Sequence, residues 1–157
     1  MNENFYSKLF LSSKNSSTHR KIKNFFLKVN FENKKVDFNG SSFDFKDIFT
    51  IKLIDSIFEN KINEQYFAGE VEIDIKNSTK LFQLFQTKKD LRQKIKKINF
   101  DIKYDFLNNI FQIKNIRVDD KENEELRIVT NQFNAEKKQI LKRVDFKKYF
   151  NYLMNSL

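Results

Sequence analysis

From Ile98 to Phe106 the chain reads Ile-Asn-Phe-Asp-Ile-Lys-Tyr-Asp-Phe, a large apolar residue at every second position with Asn99, Asp101, Lys103 and Asp105 between. Successive side chains of a strand point to opposite sides, so this period predicts one dry face and one wet face. A helix of the same residues would scatter them around its circumference. The segment therefore commits the chain to a sheet whose apolar side must be covered by something. Leu107-Asn108-Asn109 supplies a turn, because Asn tolerates the left-handed region. The return segment carries Phe111 and Ile113 in one parity but Ile116 and Val118 in the other. A bulge near Lys114-Asn115 restores the facing, and residues 97–118 are predicted to form an antiparallel hairpin.

The same alternation recurs upstream. Phe67-Ala-Gly-Glu-Val-Glu-Ile-Asp-Ile75 reads as a strand, with Gly69 in an inward slot that permits a bend or a close approach. Phe25, Leu27, Val29 and Phe31 share one face of a strand over about 22–31, and Phe5 to Leu11 reads as another, followed by a polar loop at Lys14–Thr18. Asn33-Lys34 turns the chain toward Val36 and Phe38, and Asn39-Gly40 is a further turn signal. Residues 48–58 are apolar in both parities, as in a strand covered on both sides.

Helical patterns are fewer. Asn77 or Ser78 can cap a helix holding Leu81, Phe82, Leu84 and Phe85, which the pattern carries on through Leu91 and Ile95 into the hairpin. Glu122–Phe133 is a weaker helix, and Phe146, Tyr149, Phe150, Leu153 and Leu157 form a helical stripe after a cap at Asp145. The fold class expected is β-rich α+β in one module over residues 1–157. It holds an antiparallel, strongly twisted or curled sheet of about five to seven strands, with short helices near 78–95 and 145–157.

With 157 residues, 19 Phe and 5 Tyr, the chain carries far more large apolar surface than a disordered segment does. Either the core is rich in aromatic rings or some of that surface faces a ligand. The net charge of +9 admits nucleic acid or an anionic membrane surface as a partner. Arg20, Arg92, Arg117, Arg127 and Arg143 are the only arginines among 30 basic residues. Lys, Asn, Ile and Phe, all written by A/T-rich codons, supply half of the chain, so a lysine-rich solvated surface explains the charge equally well. The densest basic run holds Lys88, Lys89, Arg92, Lys96 and Lys97. It suits phosphates or anionic headgroups, and equally the exposed side of a helix that buries Leu91 and Ile95.

Catalytic chemistry finds few candidates. His19 is the only histidine and stands in a polar stretch without nearby carboxylates; there is no cysteine for a nucleophile, a disulfide or a thiolate metal site. Gly40 and Gly69, the only glycines, cannot build a phosphate-cradling loop. Glu72 with Asp74 alternates with core positions and reads as a solvated face, while Asp119-Asp120 reads as a strand end capping the next helix. No enzyme activity, cofactor or metal is expected. Met1–Leu11 carries Glu3 and Lys8 and lacks an unbroken apolar core, and no stretch approaches 18 apolar residues, so neither a secretory leader nor a membrane span is expected.

Phe67–Val118 as a whole resembles the C-terminal part of bacterial AsmA-like proteins. The resemblance lies in FAGEVEIDIKN, then the Leu/Phe helix of KLFQLFQTKKDLRQKIKKI, then NFDIKYDFLNNIFQIKNIRVDD, and covers about a third of the chain. It implies a long twisted sheet curled around an apolar groove that carries phospholipid between inner and outer membranes. It also implies a periplasmic place, an N-terminal membrane helix in missing flanking segments, and a parent protein of which this chain is a piece.

On that reading, Phe67, Val71, Ile73, Ile75, Ile98, Phe100, Ile102, Tyr104 and Phe106 line a lipid groove. Acyl chains gain about 0.8 kcal/mol for each CH₂ buried on such a face. The same residues suit an ordinary core packed against the helices, and alternation alone does not separate the two. A nucleic-acid-binding protein is a second reading, weakened because Asp101 and Asp105 alternate with the rings where a phosphate track needs basic residues. A purely structural β module of a larger surface protein is the third.

Overall fold

A computed structural model describes residues 6–14, 22–32, 34–135 and 143–157. Phe5, Asn33, His19 and residues 15–18 of the expected polar loop lie outside the described residues. The chain forms a β-rich α+β fold: an antiparallel sheet of eight strands with three short helices. The strands are β1 (Tyr6–Lys14), β2 (Ile22–Glu32), β3 (Lys35–Asp37), β4 (Ser42–Phe45), β5 (Phe49–Lys61), β6 (Glu64–Ile75), β7 (Lys97–Asp105) and β8 (Ile110–Val118). Outside β3 and β4 they follow one another across the sheet in chain order, each pairing with the next.

The one departure from that order lies between β2 and β5. β3 and β4 both pair with these same two strands, so they are halves of one interrupted strand, and the sheet has seven positions. The Asn39-Gly40 turn therefore makes a detour within a strand and joins no hairpin; Gly40 takes the positive φ of 84° that the detour needs. The break would orphan the backbone of Lys28 in β2. The fully buried Ser41 repairs it, its hydroxyl accepting from the Lys28 N–H and donating to the Lys28 carbonyl, both at 3.0 Å.

Two bulges keep large residues on one face. In β8, Asp101 pairs with Lys114 and Asn99 with Arg117, so the ladder slips by one residue where Asn115 adopts a φ of 50°. Ile113 and Ile116 thereby face the same way, as the sequence predicts. In β5, Ile54 pairs with Glu70 and Ile57 with Ala68, which leaves Asp55 and Ser56 opposite Gly69. This second bulge explains the apolar character of residues 48–58 in both parities. Phe49, Ile51 and Leu53 share the face of Phe58 only because the bulge re-phases the strand, and Ile54 and Ile57 point to the other side. Coverage on both sides is not needed to account for the pattern.

The helices are α1 (Ser78–Phe85), α2 (Glu124–Ala135) and α3 (Arg143–Asn155). Asn77 caps α1 by accepting the Lys80 N–H at 3.0 Å. The helix does not run on to Ile95 as the apolar spacing suggests. Gln86 turns left-handed at φ 54°, Thr87 N–H closes on the Phe82 carbonyl, and a single 3₁₀ turn at Lys89–Leu91 leads to an extended approach to β7. Asn123 caps α2, accepting from Leu126 N–H at 2.7 Å and donating to the Ser156 carbonyl near the end of α3. Asp119 does not cap that helix; its Oδ1 accepts the N–H groups of Lys96 and Lys97, each at 2.8 Å, and fixes the start of β7. The C-terminal helix begins two residues ahead of Asp145, which falls in its first turn. Among the described residues no helix is long and apolar enough to cross a membrane.

All three helices pack on one end of the apolar face. Leu81 and Phe82 of α1, Leu126 and Phe133 of α2, and Tyr149, Phe150, Leu153 and Met154 of α3 close over Ile98, Ile113, Ile116 and Val118. Phe150 stacks on Phe85 at 4.2 Å between ring centres.

The Gly69 bulge carries the first prediction. A Cβ at Gly69 would lie 2.5 Å from the Ser56 Cα and 2.1 Å from its Oγ. Gly69→Ala is expected to lower unfolding stability by about 1–3 kcal/mol in urea titration. Adding Ser56→Ala should not restore it, because the backbone atom clashes as well. Rescue by that second change would show the hydroxyl to be the only obstacle.

Candidate apolar-binding face

Paired residues of an antiparallel ladder share a face, so the register maps the apolar side of the sheet. Two rows cross all seven positions. One runs Ser13, Phe25, Phe43, Ile51, Ile73, Ile98, Val118. The other runs Ser7, Phe31, Val36, Phe58, Phe67, Tyr104, Phe111. Between them lie Leu9 with Val29, and Leu53 with Val71 and the adjacent Phe100.

The helices cover the first row only from β5 onward, where Ile51, Ile73, Ile98 and Val118 join the helical core. Of the second row only Phe111 reaches that core, its ring 6.3 Å from Phe146 of α3. Phe31, Val36, Phe58, Phe67 and Tyr104 are half-buried by their neighbours in the sheet and lie outside the helical cluster. Rings meet edge to face along this strip: Phe38 on Phe67 at 5.8 Å, Phe106 on Phe58 at 5.4 Å and Phe106 on Tyr104 at 4.6 Å.

This divides the nine residues predicted to line a groove. Ile73, Ile75, Ile98 and Phe100 pack against the helices and belong to the ordinary core. Phe67, Ile102, Tyr104 and Phe106 lie outside it, Phe106 46% exposed in the turn beyond β7, and Val71 is buried between the two sets. The alternating pattern is the same for both sets, so sequence reasoning had no means to divide them. It also missed Phe31, Val36 and Phe58, whose place in the strip depends on the β3–β4 break and the β5 bulge.

The basic run does not form a helical face. Lys88, Lys89, Arg92 and Lys96 are exposed on the irregular link between α1 and β7, where Arg92 Nε donates to the Thr87 carbonyl at 3.0 Å. Lys97 is different. It starts β7 and pairs with Asp120 at 3.1 Å and Glu72 at 3.8 Å, which raises its pKa, chiefly through the Asp120 hydrogen bond.

The opposite face of the sheet is an ion-pair lattice. Lys52 binds Glu72 at 2.8 Å and Asp74 at 2.6 Å, Arg117 binds Glu70 at 2.9 Å, and Asn99 donates to Glu70 at 3.0 Å. Glu72 and Asp74 are therefore structural partners of lysine. The Lys52 hydrogen bond holds Glu72 below its usual pKa, the wrong direction for a proton donor near neutrality. Alternating charges of both signs also make this face a poor phosphate track.

Two carboxylates of this lattice titrate lowest. Glu59, 4% exposed, is bound by Lys35 and Lys61, each at 2.8 Å, and accepts from Tyr66; its pKa falls from 4.5 to about 2, mainly through Lys35. Asp44 falls from 3.8 to about 2 through Lys76, Thr50 and Asn24. A depressed folded-state pKa adds stability above the unfolded value, and that stability is lost as pH falls through the folded one. Denaturation midpoints should therefore hold down to about pH 5 and fall steadily from there toward pH 2. Glu59→Gln should flatten part of that slope; an unchanged slope would show that Glu59 titrates normally.

No protein-family model, curated protein or solved structure matches this chain.

Proposed function

We propose that the chain is a non-enzymatic binding module that holds an apolar chain, such as the acyl tail of a phospholipid, along the uncovered strip of its sheet. The observation that carries this reading is the unequal covering of one face. Apolar residues occupy all seven positions, and the helices close over only one end of that surface. Rings and branched side chains fill the remaining strip without interruption from Phe31 to Tyr104. Among the described residues no helix covers this half-buried strip, and a contiguous apolar surface of that kind marks a site of interaction.

Size is compatible with one tail. Seven positions at a spacing of about 4.8 Å make a row about 29 Å wide. The acyl region of one leaflet is about 15 Å deep, and a whole bilayer with headgroups about 40 Å. A single copy can shelter a tail but cannot span between membranes. This fits a place within a longer groove protein of the AsmA-like kind, in the periplasm, where lipid transfer supports outer-membrane biogenesis. The exposed Lys88, Lys89, Arg92 and Lys96 would then meet anionic headgroups.

Charged substitutions separate strip from core. Ile98→Asp should cost several kcal/mol and unfold the domain, because Ile98 is 4% exposed beneath the helices. Phe106→Asp and Ile102→Asp should retain cooperative unfolding with a much smaller loss, and should abolish crosslinking to a phospholipid with a photoactivatable tail. The proposal fails if the parent protein captures no lipid from vesicles. It fails equally if all three variants keep full capture.

A further inference from the structure

We infer that β1 is a self-complementary edge through which two copies of the chain join their sheets, antiparallel about a two-fold axis at Phe10. The two outer strands of the sheet are finished very differently. At β8 the side-chain amide of Asn134 in α2 closes the edge, accepting from Ile113 N–H at 2.9 Å and donating to the Ile113 carbonyl at 2.6 Å. Among the described residues nothing pairs with the outer side of β1.

That open edge carries large apolar side chains on both faces. Tyr6 is 58% exposed, Phe10 56%, Leu11 45% and Leu9 43%. Edge strands are ordinarily blunted with charge, proline or a bulge. β1 carries Lys8 and Lys14, but its nine residues pair one-to-one with β2 without a bulge or a proline, and neither lysine interrupts the run Leu9-Phe10-Leu11.

The order of these residues selects the occupant. An axis normal to the sheet must pair side chains of one face, so facing residue numbers sum to an even value. Centred on Phe10, the middle of the strand, all nine residues pair. Leu9 then faces Leu11, Ser7 faces Ser13, Lys8 faces Ser12, and Phe10 faces its own copy. No two lysines oppose each other. Moving the centre to Leu11 sets Lys8 against Lys14, and moving it to Leu9 sets Lys8 against Phe10.

Phe10 already stacks on Phe26 at 6.3 Å on the polar side of the sheet. The pairing therefore brings four rings together where one sheet meets the other. The axis keeps both apolar faces on the same side, so the two strips run on as one surface of fourteen positions, about 62 Å wide. The inference rests on the edge alone and does not depend on what the strip binds.

Sedimentation velocity over a wide concentration range tests it. The parent chain should be a reversible dimer. Leu9→Lys with Leu11→Lys should weaken that dimer by more than about tenfold, since like charges then face across the axis. Leu9→Lys with Leu11→Glu should retain it, because each lysine meets a glutamate only when the centre is Phe10. The chain has no cysteine, so Phe10→Cys should form a disulfide dimer on mild oxidation, and Phe106→Cys, of similar exposure, should not. Circular dichroism confirms that each variant is folded. A monomeric parent chain, equal behaviour of the two double variants, or equal crosslinking at positions 10 and 106 would overturn the inference.

Discussion

A strand has two sides and a strict period, and this sheet must hold its large residues to one side over strands as long as 13 residues. The fold depends on how that phase is kept. Where the chain would slip out of step, an extra residue re-aims it: Asp55 and Ser56 opposite Gly69 in β5, and the left-handed Asn115 in β8. Without the first, Phe58 would leave the strip between Val36 and Phe67. Without the second, Ile116 and Val118 would lose their place beneath α2 and α3. A glycine at 69 is the local cost of the first correction, because no Cβ fits against the Ser56 backbone.

Keeping the phase concentrates apolar surface on one side, and the helices are too short to cover it. α1 has 8 residues, α2 12 and α3 13, against a sheet seven positions wide. At about 1.5 Å per residue none is longer than about 20 Å. They settle together over β7, β8 and the facing ends of β5 and β6, tied to one another by Asn123 to Ser156 and by the buried pair of Thr130 and Tyr149 at 2.8 Å. Burial pushes the Tyr149 hydroxyl up to about 12, as expected for a group sealed in a dry interface. What they leave open is a strip of rings with an ion-pair lattice on its back. On the polar side, Lys52, Lys97 and Arg117 each bind a carboxylate of a nearby strand or turn.

Much of this was legible in the residues. The hairpin of 97–118, its bulge near 114–115, the inward slot of Gly69 and the cap at Asn77 follow from period, turn residues and side-chain chemistry, each of them local. The misreadings involve non-local choices. Leu91 and Ile95 lie at helical spacing, yet Gln86 ends the helix, and Ile95 reaches the core from an extended segment. Asn39-Gly40 signals a turn, but only the pairing of β3 and β4 with the same two neighbours shows a detour within one strand. The division of the candidate site is of this kind too. Ile98 and Ile102 occupy equivalent places in one alternating segment, and only the placement of the helices makes one core and the other strip.

The central claim is that one continuous apolar face serves two purposes, core at one end and binding surface at the other. Methyl NMR with a single-tailed phospholipid, titrated below its micelle concentration, measures both ends in one experiment. The account predicts saturable shifts at Ile102, Leu53 and Val36, with Ile98, Ile113, Leu126 and Leu153 unmoved. Shifts spread evenly over both groups, or no shifts at any lipid concentration, would contradict it.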